Sequence, residues 1–136
     1  MNKKIIKFVN QNIGNFPIIS LQNEASSRKY YRVYDNKKTY IVADSSREKK
    51  KFKDYINVYN IIKNTHISIP EIIKFDDNNH LMILEDFGDN RFDKIIHNDK
   101  YADHLLKIAI ESLAILKNSI FFEKDLNLQI YNFNSF

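Results

Sequence analysis

Two pairs of short apolar runs, each closed by a polar turn, stand on either side of one amphipathic helical stretch. The first pair covers residues 30–34 and 39–43 around Asp35-Asn36-Lys37-Lys38, and the second covers 72–75 and 80–84 around Asp76-Asp77-Asn78-Asn79. Runs of this length, rich in Tyr, Val and Ile and bounded by Asn and Asp, read as antiparallel hairpins. A further run at 18–21 brings the expected strands to five. Between the pairs, Phe52, Tyr55, Ile56, Tyr59 and Ile62 keep the i, i+3, i+4, i+7 spacing of a helix that lays one face on a sheet. The pattern predicts an α+β domain.

Ile5, Ile6, Val9 and Ile13 predict a short amphipathic helix over 3–13, stopped by Gly14 and Pro17 and packed across the back of the sheet. Ser45 and Glu48 have the spacing of a capping box, which starts the central helix at that point. Pro70 ends the connection to the second hairpin. Beyond Gly88, residues 92–96 allow one or two helical turns, and 101–117 carry Leu105, Leu106, Ala109, Leu113 and Leu116 on one helical stripe. Residues 121–136 have no clear period, and their Leu126, Leu128, Ile130, Phe133 and Phe136 need a covering partner.

Composition narrows the function classes. A 136-residue chain with 43% hydrophobic residues is expected to build one packed core, with no linker or repeat to divide it. With no cysteine it has neither disulfides nor thiolate metal sites, and His66, His80, His97 and His104 are too dispersed to pair as metal ligands. No apolar run approaches the ~18 residues that span a bilayer, and Lys3-Lys4 lead into an amphipathic segment and not a signal sequence, so the expected location is cytoplasmic. The net charge of +4 suits phosphate-bearing ligands but is no nucleic-acid footprint. The basic run 47–53 reads as a solvated helix face, and the abundant Lys, Ile and Asn read as coding bias.

Two motifs remain. The stretch Ala25-Ser26-Ser27-Arg28-Lys29-Tyr30-Tyr31-Arg32-Val33 joins a polar loop to a basic-aromatic strand, and Leu84-Glu85-Asp86-Phe87-Gly88-Asp89 ends an apolar strand in an acidic turn. Taken alone, the first reads equally as a polar hairpin turn and the second as a buried edge strand with an acidic end. Together with Tyr40-Ile41-Val42-Ala43-Asp44 and the Pro70 joint, they resemble the aminoglycoside phosphotransferase-like family, above all its bacterial branch of cell-wall amino-sugar kinases acting on N-acetylmuramate or N-acetylglucosamine.

The resemblance implies a protein-kinase-like small lobe over residues 1–90, a five-stranded antiparallel sheet with a covering helix and hinge, followed over 91–136 by linker helices leading into a large lobe. It implies that Ser26, Ser27 and Arg28 hold nucleotide phosphates, since hydroxyls and a guanidinium fork supply donors without glycine. It further implies that the hinge Glu85-Asp86-Phe87 receives adenine through the Glu85 carbonyl and Phe87 amide, with Val42, Ile69 and Ile83 lining the ring faces.

Departures from the pattern shape the expectation. Protein kinases carry a lysine on the third strand, whereas this strand reads Tyr40-Ile41-Val42-Ala43-Asp44, as the amino-sugar branch does with its Asp nearby. No His-Gly-Asp loop occurs, and Asp86-Phe87-Gly88 lies at the hinge, where a metal-binding turn has no place. The chain is therefore expected to supply no catalytic or metal-binding residue of its own. It would be the ATP-binding part of a truncated or split phosphotransferase, taking magnesium only through a large lobe absent from these residues, which in the split case a separately encoded partner supplies. The alternatives are a non-catalytic protein-interaction module and an inactive gene remnant.

Overall fold

The computed structural model describes residues 2–21, 27–97 and 99–120. Helix α1 (Lys3–Asn12) is followed by strands β1 (Ile18–Ser20), β2 (Lys29–Tyr34) and β3 (Thr39–Asp44), then helix α2 (Lys49–Ile62), strands β4 (Ile72–Asp76) and β5 (Leu81–Glu85), and helices α3 (Phe92–Ile95) and α4 (Asp99–Ile120). All pairings are antiparallel and the spatial order is β1-β2-β3-β5-β4. The fold is α+β with the arrangement of a kinase-like small lobe.

Each face of the sheet has its own core. On one, α1 contributes Ile5, Phe8 and Val9 to a buried cluster with Tyr31, Val33, Val42, Leu81 and Ile83. On the other, Phe52 of α2 packs with Ala43, Met82 and Leu84, and half-buried Tyr30, Ile41, Tyr55, Ile56 and Ile72 extend that cluster. Period-two alternation along β3 and β5 distributes successive residues between the two layers. Asn2 caps α1 by accepting the Lys4 N–H at 3.0 Å. Gly14 ends that helix at φ +140°, where a Cβ would stand 2.7 Å from the Phe16 ring.

The capping box at Ser45 does not form. Ser45 is fully buried and its N–H donates to the His80 carbonyl at 2.9 Å, which extends the pairing of β3 with the β4–β5 hairpin. Residues 45–48 make a turn closed by Glu48 N–H donating to the Ser45 carbonyl at 2.8 Å. Helix α2 therefore starts at Lys49, and the Glu48 carboxylate accepts from Lys51 Nζ at 2.7 Å and not from the backbone of Ser45. A nonlocal backbone bond won over a local side-chain cap.

Helix α4 lies against α2 and α3. It is half-buried at Ala102, Leu105, Ala109, Ser112 and Leu116, but Leu106, Ile110 and Leu113 of the expected stripe and its flank are exposed. The expected contact residues Leu126 to Phe136 lie outside the described residues. No helix among the described residues is long and apolar enough to cross a membrane.

Candidate functional site

The chain leaves the sheet at the end of β5, and there a cleft of about 790 Å³ opens on the α2 side. That volume lies in the range of small-molecule sites. Its floor is a row of side chains in register across three strands: Arg32 of β2 opposite Ile41 of β3, and Ile41 opposite Leu84 of β5. Tyr30 and Tyr55 form an aromatic side wall, and Pro70 with residues 85–89 forms the rim.

The rim is held from two directions. Glu85 N–H donates to the Glu71 carbonyl at 2.9 Å, while the Glu85 carboxylate accepts the Glu71 N–H at 3.2 Å. From the other side, Arg32 reaches across β3. Its Nε meets Asp86 Oδ2 at 2.7 Å, and its Nη1 and Nη2 donate to the two carboxylate oxygens of Asp89 at 3.0 Å each. Asp86 Oδ1 also accepts the Gly88 N–H at 2.8 Å, which sets the turn in which Gly88 takes φ +79°. Burial pushes the Asp86 carboxyl upward, but hydrogen bonds from Thr39, Gly88 and Arg32 outweigh it and hold it below the usual carboxylate range. Asp89 is lowered by its hydrogen bond to Arg32, and Arg32 is raised in return, first by Asp89.

The expected site residues separate into three groups. Glu85, Asp86 and Phe87 do border the cleft. Phe87 is exposed, and its N–H has no hydrogen-bond acceptor among the described residues. Val42 and Ile83 do not line it: both are fully buried beneath α1 on the opposite face of the sheet. Their strand neighbours Ile41 and Leu84 take that place, a one-residue offset that inverts the side in a strand. Of the Ile69-Pro70 joint, Pro70 is the lining residue.

Ser27 and Arg28 do not line the cleft, although Arg28 sits behind its aromatic wall with Nη1 3.5 Å from the Tyr30 hydroxyl, and Ser26 lies outside the described residues. Arg28 Nη2 donates to the Lys51 carbonyl at 3.2 Å, and its guanidinium sits 5.3 Å from the centre of the Tyr55 ring, so it ties the start of β2 to α2. The Glu48 carboxyl is lowered first by Lys51 and then by Ser27. Ser27 also lines a second, more polar cavity of about 620 Å³ with Lys29, Tyr31, Asp44 and Arg47.

A purine fits the main cleft by chemistry: apolar and aromatic walls for the ring, and backbone of residues 85–89 along the edge. Magnesium does not fit it in this chain. Asp86 and Asp89 are both engaged by Arg32, Glu85 by the Glu71 N–H, and no group of three or more potential metal ligands occurs among the described residues. The arrangement that sequence reading missed is the Arg32 ion-pair set, because its members lie 54 and 57 residues apart and no local pattern joins them.

No family model matches the chain, and no solved structure matches it. An N-acetylmuramate/N-acetylglucosamine kinase from Pseudomonas aeruginosa is 24% identical over 109 residues, which cover 78% of this chain and 32% of that protein. The chain thus spans about a third of the length of that relative. The relationship is distant and kinase-like.

Proposed function

We propose that this chain is the nucleotide-binding half of an ATP-dependent phosphotransferase, with adenine seated in the cleft at the end of β5. The observation that carries the reading is the rim of 85–89, where Phe87, whose N–H has no acceptor among the described residues, borders a cleft floored by Ile41 and Leu84. The strand order and the distant relationship to an amino-sugar kinase support it. Ser26, Ser27 and Arg28 are assigned to the phosphate side of the nucleotide, with Arg28 released from the Lys51 carbonyl when phosphate arrives.

Phosphoryl transfer also needs a carboxylate to accept the proton of the attacking hydroxyl, and carboxylates to hold magnesium. The carboxylates bordering the cleft already have partners, so we assign those roles to a large lobe that closes over the nucleotide in the cytoplasm. An amino sugar is the proposed acceptor. Exposed Leu106, Ile110 and Leu113 on α4 favour a second role for the same chain, docking of that lobe.

The test is phosphate transfer from ATP-magnesium to N-acetylmuramate, by this chain alone and with any protein encoded directly downstream. Transfer only by the pair is expected. Transfer by neither, together with no response of the Phe87 amide to adenosine, removes the kinase reading and leaves the docking module.

A further inference from the structure

Residues 86–88 leave the sheet and turn within three positions, and a side chain from a distant strand reaches over to hold that turn. Arg32 stands on β2, two strands away from β5, and spans the intervening Ile41 to reach Asp86 and Asp89. The Asp86 side chain is 2% exposed and that of Arg32 11%, so the inner pair is sheltered from water, whereas the Asp89 side chain is 76% exposed. Only a guanidinium presents enough donors in one plane to hold two carboxylates at once.

We propose that Arg32 is the positioning residue of the nucleotide cleft, a latch that holds residues 85–89 in the one conformation that presents the Phe87 N–H to a purine edge. The inference rests on the nucleotide reading above. Arg32 acts through Asp86, whose Oδ1 fixes the Gly88 N–H and so the turn that follows Phe87. An open donor is useful to a ligand only when its direction is set beforehand, because ordering it on binding would cost affinity. Leaving the latch open would let 86–89 sample other turns, and the cleft would lose its rim while both layers of core stayed packed.

The experiment uses the full chain, labelled with nitrogen-15 and titrated with adenosine, beside Arg32→Lys and Asp89→Asn. Arg32→Lys keeps the charge and loses the fork. Asp89→Asn weakens only the exposed half and spares the buried pair, so it folds even if the first variant does not. Adenosine is expected to shift the Phe87 and Gly88 amides of the wild type. Affinity should fall about tenfold in Arg32→Lys and about threefold in Asp89→Asn. Amide exchange at Phe87 and Gly88 should quicken in the same order while Val33 and Val42 keep their protection, a split that a general loss of stability would not produce. Wild-type binding matched by both variants overturns the positioning role alone. A wild type that ignores adenosine overturns the nucleotide reading and the positioning role with it.

Discussion

The two faces of the sheet are built to different standards of closure. Under α1, Ile5, Val9, Val33, Val42 and Ile83 have no exposed surface, and polar groups enter only at the margin, where Tyr31 and the buried Asp44 border the smaller, more polar cavity. Under α2, Phe52 and Met82 are as deeply buried, but toward the end of β5 the layer gives way to half-buried Tyr30, Ile41 and Tyr55 and to the ionised Arg32. One face secures the fold. The other stops short of closing and leaves the larger cleft open at the end of β5.

Truncating the closed face should produce the largest effect. Ile83→Ala removes a fully buried side chain and is expected to cost about 3 kcal/mol of unfolding free energy, read from the shift of a denaturant midpoint. Equal loss from Ile41→Ala would erase the distinction between the faces. Next comes Asp86→Asn, expected to cost about 2 kcal/mol, because Arg32 would keep only its exposed partner.

Acid should open the latch before it disturbs the closed face. Asp86 and Asp89 have carboxyls held below their ordinary value of 3.8, so in the folded state they resist protonation. Their contribution is fully present above that value and is lost as the pH falls through their lowered folded values. Denaturant midpoints of the wild type should therefore decline from about pH 5 downward, and Asp86→Asn should decline less steeply. Parallel curves would show that Asp86 does not carry the difference.

The smallest stability effect belongs to Ile41→Ala. At a half-buried position it should cost about 1 kcal/mol while weakening adenosine binding, the reverse of the balance expected at Ile83. Ile83→Ala, measured under conditions where it stays folded, should bind adenosine as the wild type does, since its side chain points into the other layer.

Much of this fold was legible from residues in sequence. The hairpin of β2 and β3 follows from two runs around Asp35-Asn36-Lys37-Lys38, and α2 from its spaced aromatic and aliphatic residues, because hydrophobic period and turn chemistry act over a few residues. The start of α2 was not, since the Ser45 N–H bonds to His80, 35 positions away along the chain, and no local rule ranks that bond against a cap. The rim 85–89 was marked by its motif. The cleft-lining neighbours Ile41 and Leu84 were not, because both layers of the sheet are apolar on β3 and β5: alternation separates Ile41 from Val42 without saying which of them meets α1 and which meets the cleft.

Sequence alone thus determined the elements, their hairpin pairings and the place where the chain leaves the sheet, all properties of neighbouring residues. Tertiary structure decided which face each strand residue serves, that Arg28 ties β2 to α2, and that Arg32 joins Asp86 and Asp89 across an intervening strand. Those choices depend on the docking of α1 and α2 on opposite sides of one sheet, and docking is set by the summed burial of both layers and not by any single stretch of chain.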